Sequence, residues 1–134
     1  MTRSLSQQIV RFSVVGVVGF VVDGGALWLL VGAGVNPYLA RLLSFPVAVI
    51  VTWALNRSWT FGVIGQGSKG RQLGRYFAVQ VTGAAANYLI YAAVISLFGK
   101  GGVVVFAGFA LGSAVGAVIN FVGARSIAFR TTVG

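Results

Sequence analysis

Few side chains in this sequence can do chemistry, and most of them recur in pairs. Asp23 is the single carboxylate among 134 residues, and histidine and cysteine are absent. The other polar groups able to meet a ligand are Asn56 and Asn120, the arginines Arg57 and Arg125 that follow them, the amide Asn87, and Arg11 and Arg75. One carboxylate cannot supply the acid and base that glycosyl transfer or hydrolysis needs, so the chain reads as a protein without catalytic residues, not an enzyme. The usual ligands of a transition metal are missing too, so neither a metal nor another cofactor is expected. The set is suited instead to recognising an anion. A guanidinium presents paired donors that match phosphate oxygens, and a carboxamide offers both donors and an acceptor.

These residues stand in a duplicated frame. At a constant offset of 64, Arg11-Phe12 returns as Arg75-Tyr76, Val15 as Val79, Gly19 as Gly83 and Asp23 as Asn87, and further on Phe45 returns as Phe109 and Asn56 as Asn120. A repeat of this length containing two apolar runs is a duplicated helical hairpin, with repeat one over 9–61, a Gly-, Ser- and Gln-rich linker over 62–74, and repeat two over 75–130, all in one domain spanning 1–134.

Composition requires a membrane. The chain is 57% hydrophobic and 8% charged, and apolar runs of about 20 residues match the roughly 30 Å hydrocarbon layer. Four spans are predicted, Ile9 to Val31, Leu39 to Leu55, Phe77 to Phe98 and Val103 to Val122, giving an all-α membrane protein. The first is not a cleaved leader, being too long and having an internal counterpart. Arg3, Arg11, Arg57, Lys69, Arg71, Arg75, Arg125 and Arg130 fall on one side, Arg41 and Lys100 on the other. That bias places both termini and the linker in the cytoplasm. The net charge of +9 is spread over helix ends in ones and twos, which suits anionic lipid head groups and excludes nucleic acid as a partner.

Small residues draw stripes down the second span of each repeat. Gly108, Gly112, Gly116, Asn120 and Ala124 recur at i+4, and at the offset of 64 the counterpart is Ser44, Ala48, Thr52 and Asn56. Such stripes let helices approach closely in lipid. Spans two and four are therefore candidates both for tight packing and for lining a polar groove, and the Gly108/Gly112/Gly116 face is a candidate contact in a homo-oligomer. Immediately after the asparagines, Arg57-Ser58-Trp59-Thr60-Phe61 and Arg125-Ser126-Ile127-Ala128-Phe129 close the two halves, the second shifted by four further residues. Two roles fit these arginines, interfacial anchors beside an aromatic belt or a phosphate clamp.

The Arg11-Phe12 start with Gly16 and Gly19, the closure from Asn56 to Phe61 and its echo from Asn120 to Phe129 together resemble the GtrA-like family of small four-span bacterial membrane proteins. The resemblance runs from Arg11 to Phe129 and departs from the usual pattern at Ile127, where a tryptophan is usual. It implies translocation of a polyprenyl-phosphate-linked monosaccharide across the cytoplasmic membrane for cell-surface polysaccharide synthesis. Arg57 and Arg125 are then the head-group contacts and Arg11 and Arg75 the second rank. The alternatives are a non-transporting anchor for a polyprenyl-phosphate glycosyltransferase and a small multidrug-resistance-like exporter. The expected partners are the lipid-linked sugar, membrane lipids and a membrane glycosyltransferase. Asp23 counts to the membrane midplane, where the expected neighbours are neutral donors, Asn87, Tyr88 or Tyr91, and where the carboxyl either serves transport or only fixes packing.

Overall fold

In the computed structural model, residues 3–62 and 67–129 are described, and they form four α-helices, α1 (Leu5–Gly32), α2 (Pro37–Leu55), α3 (Lys69–Phe98) and α4 (Gly102–Gly123). No strand occurs among the described residues. The chain divides into two compact units, Met1–Ser68 and Lys69–Gly134, and each is a helical hairpin whose second helix runs directly into one wider, π-type turn, Asn56–Thr60 in the first unit and Ala124–Ala128 in the second. Within the linker expected over 62–74, α3 already begins at Lys69, while 63–66 and Arg130 lie outside the described residues.

Local signals fix where the helices of the first unit begin and turn. Ser4 caps α1 in a capping box, its Oγ accepting from Gln7 N and Gln7 Oε1 accepting from Ser4 N, both at 3.3 Å. The helix stops at Gly34, whose φ of 91° only glycine adopts cheaply. Around it Val35 N donates to Leu30 O at 3.0 Å and Gly34 N to Val31 O at 3.1 Å, which satisfies the last carbonyls before the chain reverses. Asn36 then caps α2, accepting from Tyr38 N at 2.9 Å, and Pro37 occupies the first turn, where its missing N–H costs nothing.

The helices with their closing turns are 28, 24, 30 and 27 residues long, and their most apolar 18-residue stretches have mean hydropathies of 2.2, 1.7, 1.6 and 2.2, so all four are long and apolar enough to cross a membrane. Large apolar side chains such as Phe20, Trp28, Leu42 and Phe106 stand exposed, as a lipid-facing surface requires. Many of the buried residues are small, and this is where the stripes go. Ala40, Ser44 and Ala48 are buried on α2, Gly108, Gly112 and Gly116 on α4, and each stripe meets the first helix of its own hairpin. Thr52 packs on Gly19 in the first unit. In the second, a Cβ on Gly112 would sit 2.6 Å from Asn87 O, and one on Gly116 2.9 Å from Gly83 O. The Gly108/Gly112/Gly116 face expected as an oligomer contact is therefore occupied by α3, because glycines bring two backbones of one hairpin closest. The same packing fills the stripes expected to line a polar groove.

The contacts also revise the internal register. Thr52 rests on Gly19, and Asn120 rests on Gly83. Gly19 and Gly83 are 64 apart, but Thr52 and Asn120 are 68 apart, as are Asn56 and Ala124 at the start of the two π-turns. The first helices of the two units correspond at 64 and the second helices at 68, one further helical turn. Asn56 is thus equivalent to Ala124, not to Asn120 as the constant offset suggests, and the stripe Ala40, Ser44, Ala48, Thr52, Asn56 answers Gly108, Gly112, Gly116, Asn120, Ala124.

Candidate functional site

The polar side chains fall into three groups, each within one hairpin. The first is the basic end of the first hairpin. Its π-turn is closed by Phe61 N donating to Asn56 O at 2.9 Å, a spacing of five residues that leaves one side chain more than an α-turn on the inner face. Asn56 uses its side chain internally: Thr60 Oγ1 donates to Asn56 Oδ1 at 2.8 Å, and both residues are buried. Beside them Arg57 is only 8% exposed, its Cζ 6.0 Å from the centre of the Trp53 ring and its Nε without a hydrogen-bond partner. Arg11 crosses from α1, donating through Nη1 to Trp59 O at 2.9 Å with its Cζ 5.2 Å from the Trp59 ring centre. Phe12 and Phe61 pack with ring centres 6.4 Å apart. The sequence-predicted Arg11, Asn56 and Arg57 are thereby gathered at one hairpin end. Thr60, Trp53 and the Trp59 carbonyl belong with them; Thr60 and Trp59 stand in the closing motif, whereas no sequence pattern singles out Trp53.

The second unit builds the same frame with less polarity. Phe129 N donates to Ala124 O at 2.7 Å, closing an identical turn, and the Tyr76 and Phe129 rings pack 5.5 Å apart as Phe12 and Phe61 do. Ala124 and Ala128 are fully buried where Asn56 and Thr60 stand in the first unit. Arg125 is exposed, as is Arg75. Asn120 lies one turn before the π-turn, pressed onto Gly83 with its Oδ1 buried and lacking a partner.

The third group, in the first hairpin, corrects the expectation for Asp23. Its partner is not a neutral donor but Arg41: Arg41 Nη1 donates to Asp23 Oδ2 at 2.6 Å, an ion pair within the first hairpin. Arg41 lies four residues past Pro37, near the connecting end of α2, whereas Asp23 is nine residues before the end of α1. The Cα positions therefore differ in depth by roughly 7 Å, a gap that an extended arginine side chain bridges. Asn87, at the Asp23 position of the second unit, packs its Oδ1 and backbone against Gly112 instead.

Among the described residues no cluster of acidic, histidine or cysteine side chains could hold a metal. The chemistry present is cationic and amphiphilic. Guanidinium groups lie beside aromatic rings at one end of the first hairpin, and an arginine is tied to a carboxylate inside it.

The family model for the GtrA/DPMS transmembrane domain matches residues 11–129. A dolichol-phosphate mannosyltransferase of Pyrococcus furiosus is 32% identical over 84 residues, 63% of this chain and 24% of that protein, so the match spans about a quarter of that relative. The membrane protein YngA of Bacillus subtilis is 24% identical over 115 residues, covering 86% of this chain and 74% of its own.

Proposed function

Because this multi-pass membrane chain belongs to the GtrA/DPMS transmembrane-domain family, we propose that it moves a polyprenyl-phosphate-linked monosaccharide across the bacterial cytoplasmic membrane for cell-surface polysaccharide synthesis. One observation carries this reading: Arg57 is nine-tenths buried at the basic end of the hairpin with an Nε that has no partner. A cation desolvated in that way is strongly favoured by an anion that brings its own acceptors, and a lipid phosphate does so. Dolichol phosphate, in the name of the Pyrococcus relative, is a polyprenyl phosphate. Arg125, Arg11 and Arg75 add positive charge at the basic ends of their hairpins and draw the anionic head toward them. The same bias puts those ends, the termini and the linker in the cytoplasm.

The experiment is translocation of a labelled polyprenyl-phosphate monosaccharide by the purified protein in vesicles. The wild-type chain is expected to expose the sugar to an external enzyme. Arg57→Lys keeps the charge but loses the planar set of donors and is expected to cut the rate by roughly tenfold, the loss of one charge-assisted hydrogen bond, with insertion unchanged. Equal rates for protein-containing and empty vesicles would defeat the proposal.

A second reading draws on the Pyrococcus match, which places the similar segment within a chain named as a mannosyltransferase. In that reading the four spans anchor and present lipid substrate to a separate glycosyltransferase, and the protein co-purifies with such an enzyme without moving lipid.

A further inference from the structure

Beside the Asp23–Arg41 pair, at the end of the first hairpin opposite Arg57, lies an open groove of about 600 Å³. Leu27, Val31, Pro37, Tyr38 and Leu42 wall it, and Arg41 is its one charged member. The ion pair has a single hydrogen bond, from Nη1 to Oδ2. Asp23 is mostly covered, at 17% side-chain exposure, and its Oδ1 is buried without a partner. Arg41 is 57% exposed. The carboxylate thus holds the guanidinium through one Nη only, while Arg41 itself lines the groove. In hydrocarbon the remaining guanidinium donors are costly until an acceptor meets them.

The geometry points to this groove as a seat for the phosphate of a polyprenyl-phosphate lipid, with Arg41 as the binding residue, Leu27, Val31 and Leu42 as the wall for the isoprenoid chain, and Asp23 as a positioning residue. For the identity of the lipid this rests on the function proposed above. Charge complementarity selects an anionic, acceptor-rich head, and depth selects its carrier. Asp23 holds the guanidinium below the helix end, toward which a free arginine side chain snorkels. The phosphate of an ordinary phospholipid stays in the interface, while a lipid being carried across must bring its phosphate into the hydrocarbon region. The site is therefore a second station for the head group, separate from Arg57, on the far half of the same hairpin.

The test is photolabelling of the full chain in lipid nanodiscs with three diazirine-tagged probes: a polyprenyl monophosphate, the corresponding uncharged prenol, and phosphatidylglycerol. The phosphate probe is expected to label peptides containing Leu27, Val31 or Leu42. Arg41→Lys, which keeps the charge and a bond to Asp23, is expected to lower that labelling at least about tenfold through loss of the free donors. Leu42→Trp fills the groove from an exposed position without touching the pair and is expected to abolish labelling while helix content is unchanged. Equal labelling by the prenol or by phosphatidylglycerol, or undiminished labelling of both variants, would overturn the inference. Translocation in the vesicle assay with no adducts in the groove would overturn this site alone. Adducts in the groove without translocation would support the site and count against transport.

Discussion

The two hairpins share one backbone plan and fill it differently. In the first unit the paired positions of the π-turn are Asn56 and Thr60, joined by a buried hydrogen bond, and the span above carries the Asp23–Arg41 ion pair. In the second unit the same positions are Ala124 and Ala128, and Asn87 with Phe109. At these two places the second hairpin lacks the polar pair. This is the outcome that burial enforces, since a lone buried donor or charge costs far more than a satisfied pair or two apolar groups. The second hairpin gains closeness in exchange: glycines replace Ala40, Ser44 and Ala48 along the stripe, and α4 lies against the α3 backbone at Gly83 and Asn87. The polar chemistry is concentrated in the first unit, and the second is held by backbone proximity.

The sharpest way to break this comparison is to move the ion pair. Asn87→Asp alone places an unpaired carboxylate in a span and is expected to cost at least about 2.5 kcal/mol on insertion. Adding Phe109→Arg, the position equivalent to Arg41 at the offset of 68, is expected to recover much of that loss, read as the fraction of glycosylation-tagged chains that insert. Recovery by an arginine at position 105 instead, the equivalent at a constant 64, would show that the second helices correspond as the uncorrected repeat implies.

Much of the architecture is legible in the amino-acid sequence. Apolar run length gave four spans, and the repeated Arg-aromatic start and closing motifs gave two hairpins, because both signals are local. The register of the second helices was not legible. The extra residues lie around the connection of the second hairpin, at the end of α3 and the start of α4, and the small residues recur every four positions, so Asn56 matches Asn120 as well by letters as Ala124 does by contact. The partner of Asp23 was hidden for another reason. Residue counting gives the depth of Cα atoms, while an arginine side chain reaches roughly another turn of helix. Stripes of small residues likewise announce close packing without naming the partner, and here it is the neighbouring helix of the same hairpin.

Close approach in the second hairpin predicts an unequal response to one added methyl group. In Gly112→Ala the new Cβ meets Asn87 O and Oδ1 at 2.6 Å, and because backbone must shift, the expected loss is about 1–3 kcal/mol. At the equivalent Ser44, already buried with its own Cβ, Ser44→Ala removes only a hydroxyl that donates to Arg41 O at 3.3 Å. The expected loss is below about 1 kcal/mol. Reversible unfolding in mixed micelles, followed by helix content, checks the difference, and equal costs would remove the claim that the second hairpin is the tighter one.

The smallest effect is also the most specific, because the protein contains its own reference for it. The hydrogen bond from Thr60 to Asn56 is intrahelical and neutral, so its net worth is about 1 kcal/mol. Asn56→Ala strands little, since the Thr60 hydroxyl can turn to a backbone carbonyl of the preceding turn. Thr60→Ala is the costlier change, because it removes a donor from a buried carboxamide. The double variant Asn56→Ala with Thr60→Ala reproduces Ala124 and Ala128, which the second unit buries in the same turn. It is expected to be no less stable than Thr60→Ala alone, with a coupling of about 0.5–1.5 kcal/mol in the double-mutant cycle. Strict additivity of the two losses would mean that Asn56 and Thr60 do not act as a pair, and that the alanines of the second hairpin are not the apolar solution to the same problem.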